Sequence, residues 1–322
     1  MTQQTIASAA VRRWFQNNAS LFGVIVLIVA VCIVGGLMTD RFFSFGNIVN
    51  VYEQSTDLAL VSIGQTLTIL TGGIDLSVGS LISLTSCLTS GLINGDPGRV
   101  IPVAVGVLAL GTLVGMLNAG LVVSLRVHPL IVTLGMGAIL QGAALFYAMG
   151  PVGKVPRNYT FLAYGRVAGL PLGATIAVVF CVLVALFLRY LPLGRQIYAV
   201  GDDDNAARLA GLPRTRVLIY VYGYSGFCCA AAGLYLVARF GVGQPYTGVN
   251  YTLASITPVI LGGTALSGGR GGVIGTLLGA YLISLVNNLL NFLDVSKHYQ
   301  LVAQALIIIL AVSVYVERRR TA

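Results

Sequence analysis

Residues 61–94 read VSIGQTLTILTGGIDLSVGSLISLTSCLTSGLIN. Two apolar runs, about 48–70 and 75–94, meet at Gly72-Gly73, and Asp75 is the one charged side chain in the quoted stretch. Each run has the length of a membrane-crossing helix, roughly 20 residues. Backbone freed by such a break is tolerated at membrane depth only where protein or a cavity covers it. The break therefore reads either as the turn of a full hairpin or as a broken, re-entrant helix.

The same pattern extends outward along the chain. Candidate spans lie at about 21–38, 48–70, 75–94, 101–124, 129–149, 171–190, 216–238, 251–266, 271–290 and 298–316. The expected fold is an all-α polytopic membrane protein with about ten transmembrane helices. Of 322 residues, 57% are hydrophobic and 9% charged, and mean hydropathy is +0.89. A soluble domain carries roughly 25% charged residues. This chain has too little polar surface to coat a globule in water. The expected division is an N-terminal segment 1–20, a transmembrane domain 21–316 containing a long polar loop at 191–215, and a tail 317–322. The run 21–38 follows Arg12 and Arg13 as a signal peptide would, but no small-residue cleavage site comes after it. It reads as a retained first span.

Net charge is +9. The basic residues sit in short loops, so they read as topology signals and not as a nucleic-acid footprint. With the N-terminus inside, Arg12, Arg13, Arg126, Arg189, Arg195, Arg208, Arg214, Arg216, Arg270, Arg318, Arg319 and Arg320 are cytoplasmic. Arg41, Arg99, Lys154, Arg157, Arg166, Arg239 and Lys297 then lie outside. The bias places both termini and the 191–215 loop in the cytoplasm.

That loop, LPLGRQIYAVGDDDNAARLAGLPRT, is the longest polar segment. Acids at 202–204, alanines within, then Gly211 and Pro213 are the start and stop signals of a short capped helix. Elsewhere, Gly72-Gly73-Ile74-Asp75-Leu76-Ser77-Val78-Gly79 aligns with Gly262-Gly263-Thr264-Ala265-Leu266-Ser267-Gly268-Gly269, five of eight positions being identical. Repeated halves with interrupted helices are a transporter device; chance similarity between glycine-rich turns is the competing explanation. Gly72, Gly73, Asp75, Ser77, Gly79, Gly262, Gly263 and Ser267 are thus the candidates for helix breaks or a substrate path. A charge at membrane depth needs protein, water or amide partners. Asp75 reads as a cap for the next helix or as a path residue, and both readings stand. Gly271, Gly275 and Gly279, like Gly111 and Gly115, recur every four residues and read as faces for close helix packing.

No chemistry-bearing set emerges. GGTALSGGRGG lacks the G-K-[ST] of a phosphate-binding loop. His128 and His298 fall at opposite span ends. Cys32, Cys87, Cys181, Cys228 and Cys229 lie in apolar runs without metal-site spacing and read as small buried hydrophobes. No catalytic residue, metal or cofactor is expected, and the chain does not read as an enzyme.

Taken together, certain strings carry a resemblance over about 40–316. They are Gly64-Gln65-Thr66-Leu67 running into GGIDLSVGS, then GPVGKVPR (150–157), and GRQIYAVG followed by AARLAG. Gln244-Pro245 with Gly248 and Tyr251, VILGGTALSGG (259–269), GTLLGA (275–280) and NNLLNFLDVSKHYQ (287–300) complete them. The chain resembles the permease subunits of bacterial ABC importers for monosaccharides, of the ribose/xylose/arabinose type. The resemblance implies a path for a monosaccharide or related polyol across the inner membrane and a second permease chain, in a homo- or heterodimer. It also implies separate cytoplasmic ATPase subunits and a periplasmic sugar-binding protein. The 202–211 helix would couple to the ATPase, through Gly201, Asp203, Ala206, Ala207, Arg208 and Gly211.

The chain departs from that family in places. Asp203 stands where relatives often have Asn. Thr252, Ala254 and Gln304 stand where many relatives carry acids and a lysine. Acid and base are missing together, which is nearly neutral if they form an ion pair in relatives. The alternative reading is an ion-coupled secondary sugar transporter, for which Asp75, with Glu53 and Asp57, would have to carry the coupling. A membrane enzyme acting on lipid-linked sugar would need clustered acids or a metal site, which the sequence does not offer.

Overall fold

The computed structural model describes residues 19–296, 298–300, 302, 305 and 306. Most of the expected span 298–316, the 1–18 segment and the 317–322 tail lie outside the described residues. The helices are α1 (Ala19–Met38), α2 (Phe45–Leu70), α3 (Val78–Ile93), α4 (Val100–Leu125), α5 (Pro129–Tyr147) and the single turn α6 (Phe161–Tyr164). They continue as α7 (Leu172–Tyr190), α8 (Pro192–Asp202), α9 (Asp204–Leu209), α10 (Arg214–Phe240), α11 (Tyr251–Ala254), α12 (Ile256–Leu261) and α13 (Val273–Phe292). One two-residue hairpin, β1 (Arg166–Val167) with β2 (Leu170–Pro171), lies between α6 and α7 and had no signal in the sequence pattern.

Local chemistry sets the boundaries. Ser44 accepts the Asn47 N–H and opens α2. Pro129 stands in the first turn of α5, and His128 caps it by accepting the Leu130 N–H. Asn94, Arg126 and Gly241 close α3, α4 and α10 in the left-handed conformation.

Among the described residues, six helices are long and apolar enough to cross a membrane: α1, α4, α5, α7, α10 and α13. α3 is apolar but shorter. α2 is as long as α4, yet it carries Glu53, Asp57, Gln54 and Gln65. Its residues 55–70 are all buried in protein, which is where polar side chains in a membrane segment can be satisfied. The expected span at 251–266 is not one helix. It is the short pair α11 and α12, followed by turns.

α10 is the central post, mostly buried against α4, α2 and α3; α1 is peripheral and exposes an apolar surface. Glycines set the closest approaches. A Cβ on Gly115 would fall on the Tyr222 carbonyl, and one on Gly226 on the Gly111 carbonyl, so α4 and α10 touch backbone to backbone. Gly275 of α13 meets Gly262 in the same way, and Gly279 meets Pro258. Gly271 is not on that face. It lies before the helix, at φ +127°, in a turn against Thr264. Cys87, Cys181, Cys228 and Cys229 are buried free thiols, and Cys32 is half-buried.

Candidate functional site

The two glycine breaks have the same helix-ending geometry. At the first, the Gly72 N–H reaches Ile69 O (2.9 Å) and the Gly73 N–H reaches Thr68 O (3.0 Å). At the second, the Gly263 N–H reaches Ile260 O (2.9 Å) and the Thr264 N–H reaches Val259 O (3.1 Å). Each is a 6→1 and 5→2 pair around a left-handed glycine, Gly72 at φ +77° and Gly263 at φ +86°. The structural equivalent of Gly72 is therefore Gly263, one residue later than the sequence alignment, which pairs it with Gly262 at φ −67°. The identical letters matched one register off from the backbone.

The breaks touch each other. The Gly269 N–H donates to Leu70 O at 3.0 Å. A Cβ on Gly72 would sit 3.6 Å from the Ser267 carbonyl, and one on Gly268 2.8 Å from the Gly72 nitrogen. Into this junction comes the end of α8. A Cβ on Gly201 would land on the Leu70 carbonyl and lie 2.7 Å from the Gly269 nitrogen. The Tyr198 hydroxyl of α8 donates to Gly271 O at 2.9 Å. Three strings far apart in sequence thus form one knot of backbone.

Asp75 lies beside it, 1% exposed. Its Oδ1 accepts the Ser77 hydroxyl (2.6 Å) and the Ser77 N–H (3.0 Å), and its Oδ2 accepts the Ser225 hydroxyl of α10 (3.2 Å). Ser77 in turn accepts the Asn118 amide of α4 at 2.9 Å. The Gln65 amide of α2, oriented to match, faces Asp75 O (3.2 Å) and Asp75 N (3.3 Å). Thr133 of α5 accepts the Leu76 N–H at 3.1 Å. Ser77, not Asp75, is the residue that precedes α3, so the carboxylate closes a turn ahead of the helix and cross-links α10 to it. Gly79 does a separate job: its face receives the Gly248 carbonyl and Thr252.

The 191–215 loop contains two helices where one was expected. The missed one, α8, begins at Pro192 and buries Gly194, Ile197 and Val200 at i, i+3 spacing. Asp203 caps α9 by accepting the N–H groups of Asn205 (2.9 Å) and Ala206 (3.0 Å). Asp204 pairs with Arg214 at 2.6 Å. Ala206, Arg208 and Gly211 are exposed, and Leu209 is 91% exposed. Ala207 points the other way, 4% exposed, into the apolar cluster that includes Val217 and Leu218 of α10. Beside α9 is a cavity of about 1140 Å³ whose wall includes Arg126, Arg208, Arg214 and Arg216.

At the far end of α10, Arg239 Nη1 meets Asp57 Oδ2 of α2 at 3.1 Å. Asp57 is thus paired. The sequence offered both partners, but 182 residues apart and without a motif.

A family model described as "Branched-chain amino acid transport system / permease component" matches residues 47–312. The ribose import permease protein RbsC of Escherichia coli (strain K12) is 36% identical over 98% of both chains. The D-allose transport system permease protein AlsC of the same organism is 33% identical over 93% of this chain and 91% of its own. The fructose import permease protein FrcC of Rhizobium meliloti is 33% identical over 94% and 87%. No solved structure matches the chain. With the family model covering most of its length and relatives of this similarity end to end, the chain belongs to the permease-component family: it is a multi-pass inner-membrane transport subunit of an ABC importer, not an enzyme.

Proposed function

We propose that this chain forms the path by which a monosaccharide or related polyol crosses the inner membrane, driven by separate ATPase subunits that grip α9. One observation carries the reading: the α8–α9 arm is wedged, at Gly201 where α8 ends, between the two helix breaks. A push on α9 would be delivered straight to the junction of Leu70 and Gly269. Gly72, Gly73, Gly262, Gly263 and Ser267 are then the hinge, while Asp75 and Ser77 hold it to α4 and α10.

The names of the relatives support sugar as the cargo, and the charge bias supports cytoplasmic termini. The full transmembrane domain 21–316 would make about ten crossings, counting α2, α3, the α11–α12 pair and the last span. A second permease chain completes the path, and a periplasmic binding protein delivers the sugar. The exposed face of α9 (Ala206, Arg208, Leu209 and Gly211) meets the ATPase, with the arginine-lined cavity beside it favouring an acidic partner surface. Asp203 acts by capping α9 and Ala207 by anchoring it to α10.

Leu209→Asp tests this. The residue projects into solvent, so the permease should insert and stay monodisperse, while ATPase co-purification and ATP-driven uptake fall together. Unchanged ATPase association and uptake would refute the coupling role.

A further inference from the structure

A second cavity, of about 540 Å³, opens at the end of α10 away from α8 and α9. Arg214 begins α10 at the coupling end, and Arg239, 25 residues on, stands in this cavity's wall. At about 1.5 Å per residue the two ends of the helix are almost 40 Å apart. The volume lies within the range of small-molecule sites, about 300–1,000 Å³.

The wall is unlike the rest of this apolar chain. Gln54 of α2, Gln244 and Asn250 of the segment after α10, and Asn287 and Asn291 of α13 bring amides to it, and Tyr246 adds a ring. A primary amide offers donors and an acceptor side by side, as a sugar hydroxyl does. Among the described lining residues, the one acid and the one guanidinium, Asp57 and Arg239, are bonded to each other at 3.1 Å. An amino acid or a sugar acid would find no unpaired counter-charge among the described lining residues. A neutral polyhydroxylated molecule needs none.

We infer that this cavity is a loading site for a neutral polyhydroxylated substrate, on the face where the binding protein releases it, with the Gln244 and Asn250 amides as its ligands and the Asp57–Arg239 pair keeping it uncharged. The inference rests on the importer reading and adds the place and chemistry of the first contact.

Gln244 and Asn250 have exposed side chains, and the bonds that Gln244 makes to Ser86 use its backbone. Gln244→Leu and Asn250→Leu should therefore fold. The complete complex, with its ATPase subunits and binding protein, is placed in proteoliposomes and given sugar at saturating binding protein. Wild-type ATP-driven uptake first establishes the importer reading; its absence would sink that reading itself. Each variant should lower maximal uptake about fivefold, the loss of one hydrogen bond, while ATPase stimulation by loaded binding protein stays at wild-type level. Full uptake in both variants would overturn the loading site and leave the importer reading intact. Loss of ATPase stimulation together with uptake would assign this wall to binding-protein docking, and would overturn it too.

Discussion

Gly201→Ala is a single-methyl change whose consequence follows from geometry. The new Cβ would land on the Leu70 carbonyl oxygen and stand 2.7 Å from the Gly269 nitrogen, the two atoms that bond to each other at 3.0 Å. Both are backbone, so neither can swing aside as a side chain would. Overpacking of this kind costs about 1–3 kcal/mol, and losing the bond adds about 0.5–1.5 kcal/mol. Alanine returns up to about 1 kcal/mol of helix propensity at the end of α8. The net expectation is a loss of about 1–3 kcal/mol, concentrated where the α8–α9 arm meets the two breaks. Gly142→Ala is the control: it lies inside α5 with nothing within 4 Å of its Cβ, so it should be neutral or mildly stabilising. The assay pairs thermal unfolding in detergent with ATP-driven uptake at matched membrane abundance. Gly201→Ala should unfold earlier and transport less, whereas Gly142→Ala should match the wild type in both. Equal behaviour of the two variants would refute the wedge.

Three further outcomes are expected. Asp75→Ala strands the Ser77 and Ser225 hydroxyls and should lower membrane abundance or uptake markedly, at about 1–3 kcal/mol per buried group left without its bond. Asp75→Asn, which keeps one acceptor, should lose less, and wild-type uptake and abundance in the alanine variant would count against the cross-link. Gly275→Leu should reduce expression or assembly more than Leu277→Ala, because Gly275 lies on the Gly262 backbone; equal tolerance would contradict that contact. A cysteine at position 203, in a background lacking the native cysteines, should resist impermeant thiol reagents in intact cells, and ready labelling would reverse the proposed orientation.

Much of the fold is legible in the sequence because lipid imposes a simple rule. Apolar runs near 20 residues must be helices, and glycine, asparagine or proline marks their ends. The expected run 21–38 became Ala19–Met38, and 101–124 became Val100–Leu125. α8 was missed because Gly194, Arg195, Gln196 and Gly201 read as loop by composition, although Ile197 and Val200 kept the helical spacing. The run 251–266 carried a signal against one continuous helix in Pro258, which has no N–H to give the Ala254 carbonyl. The repeat was visible, but its register was not: a left-handed φ is a backbone property, and Gly262 and Gly263 are the same letter.

The site divides along the same line. Gly201, Asp203 and the glycine breaks could be singled out from their strings, but their convergence depends on tertiary packing. The resemblance puts Ala206 and Ala207 together on the coupling surface. In the fold only Ala206 faces outward, because residues one apart on a helix point about 100° away from each other. Asp57 reads from the sequence as a candidate ion-coupling acid, but in the fold Arg239 pairs with it. Pairing across 182 residues leaves no trace in spacing.

The central claim is that this chain is the path of an ATP-driven importer. The most direct test is radiolabelled sugar accumulation in proteoliposomes containing the chain with its ATPase subunits and binding protein. Accumulation should require ATP and loaded binding protein together, and should persist when a protonophore and a sodium ionophore abolish ion gradients. Accumulation by the chain alone, driven by an imposed proton or sodium gradient without ATP, would contradict the account and restore the ion-coupled reading.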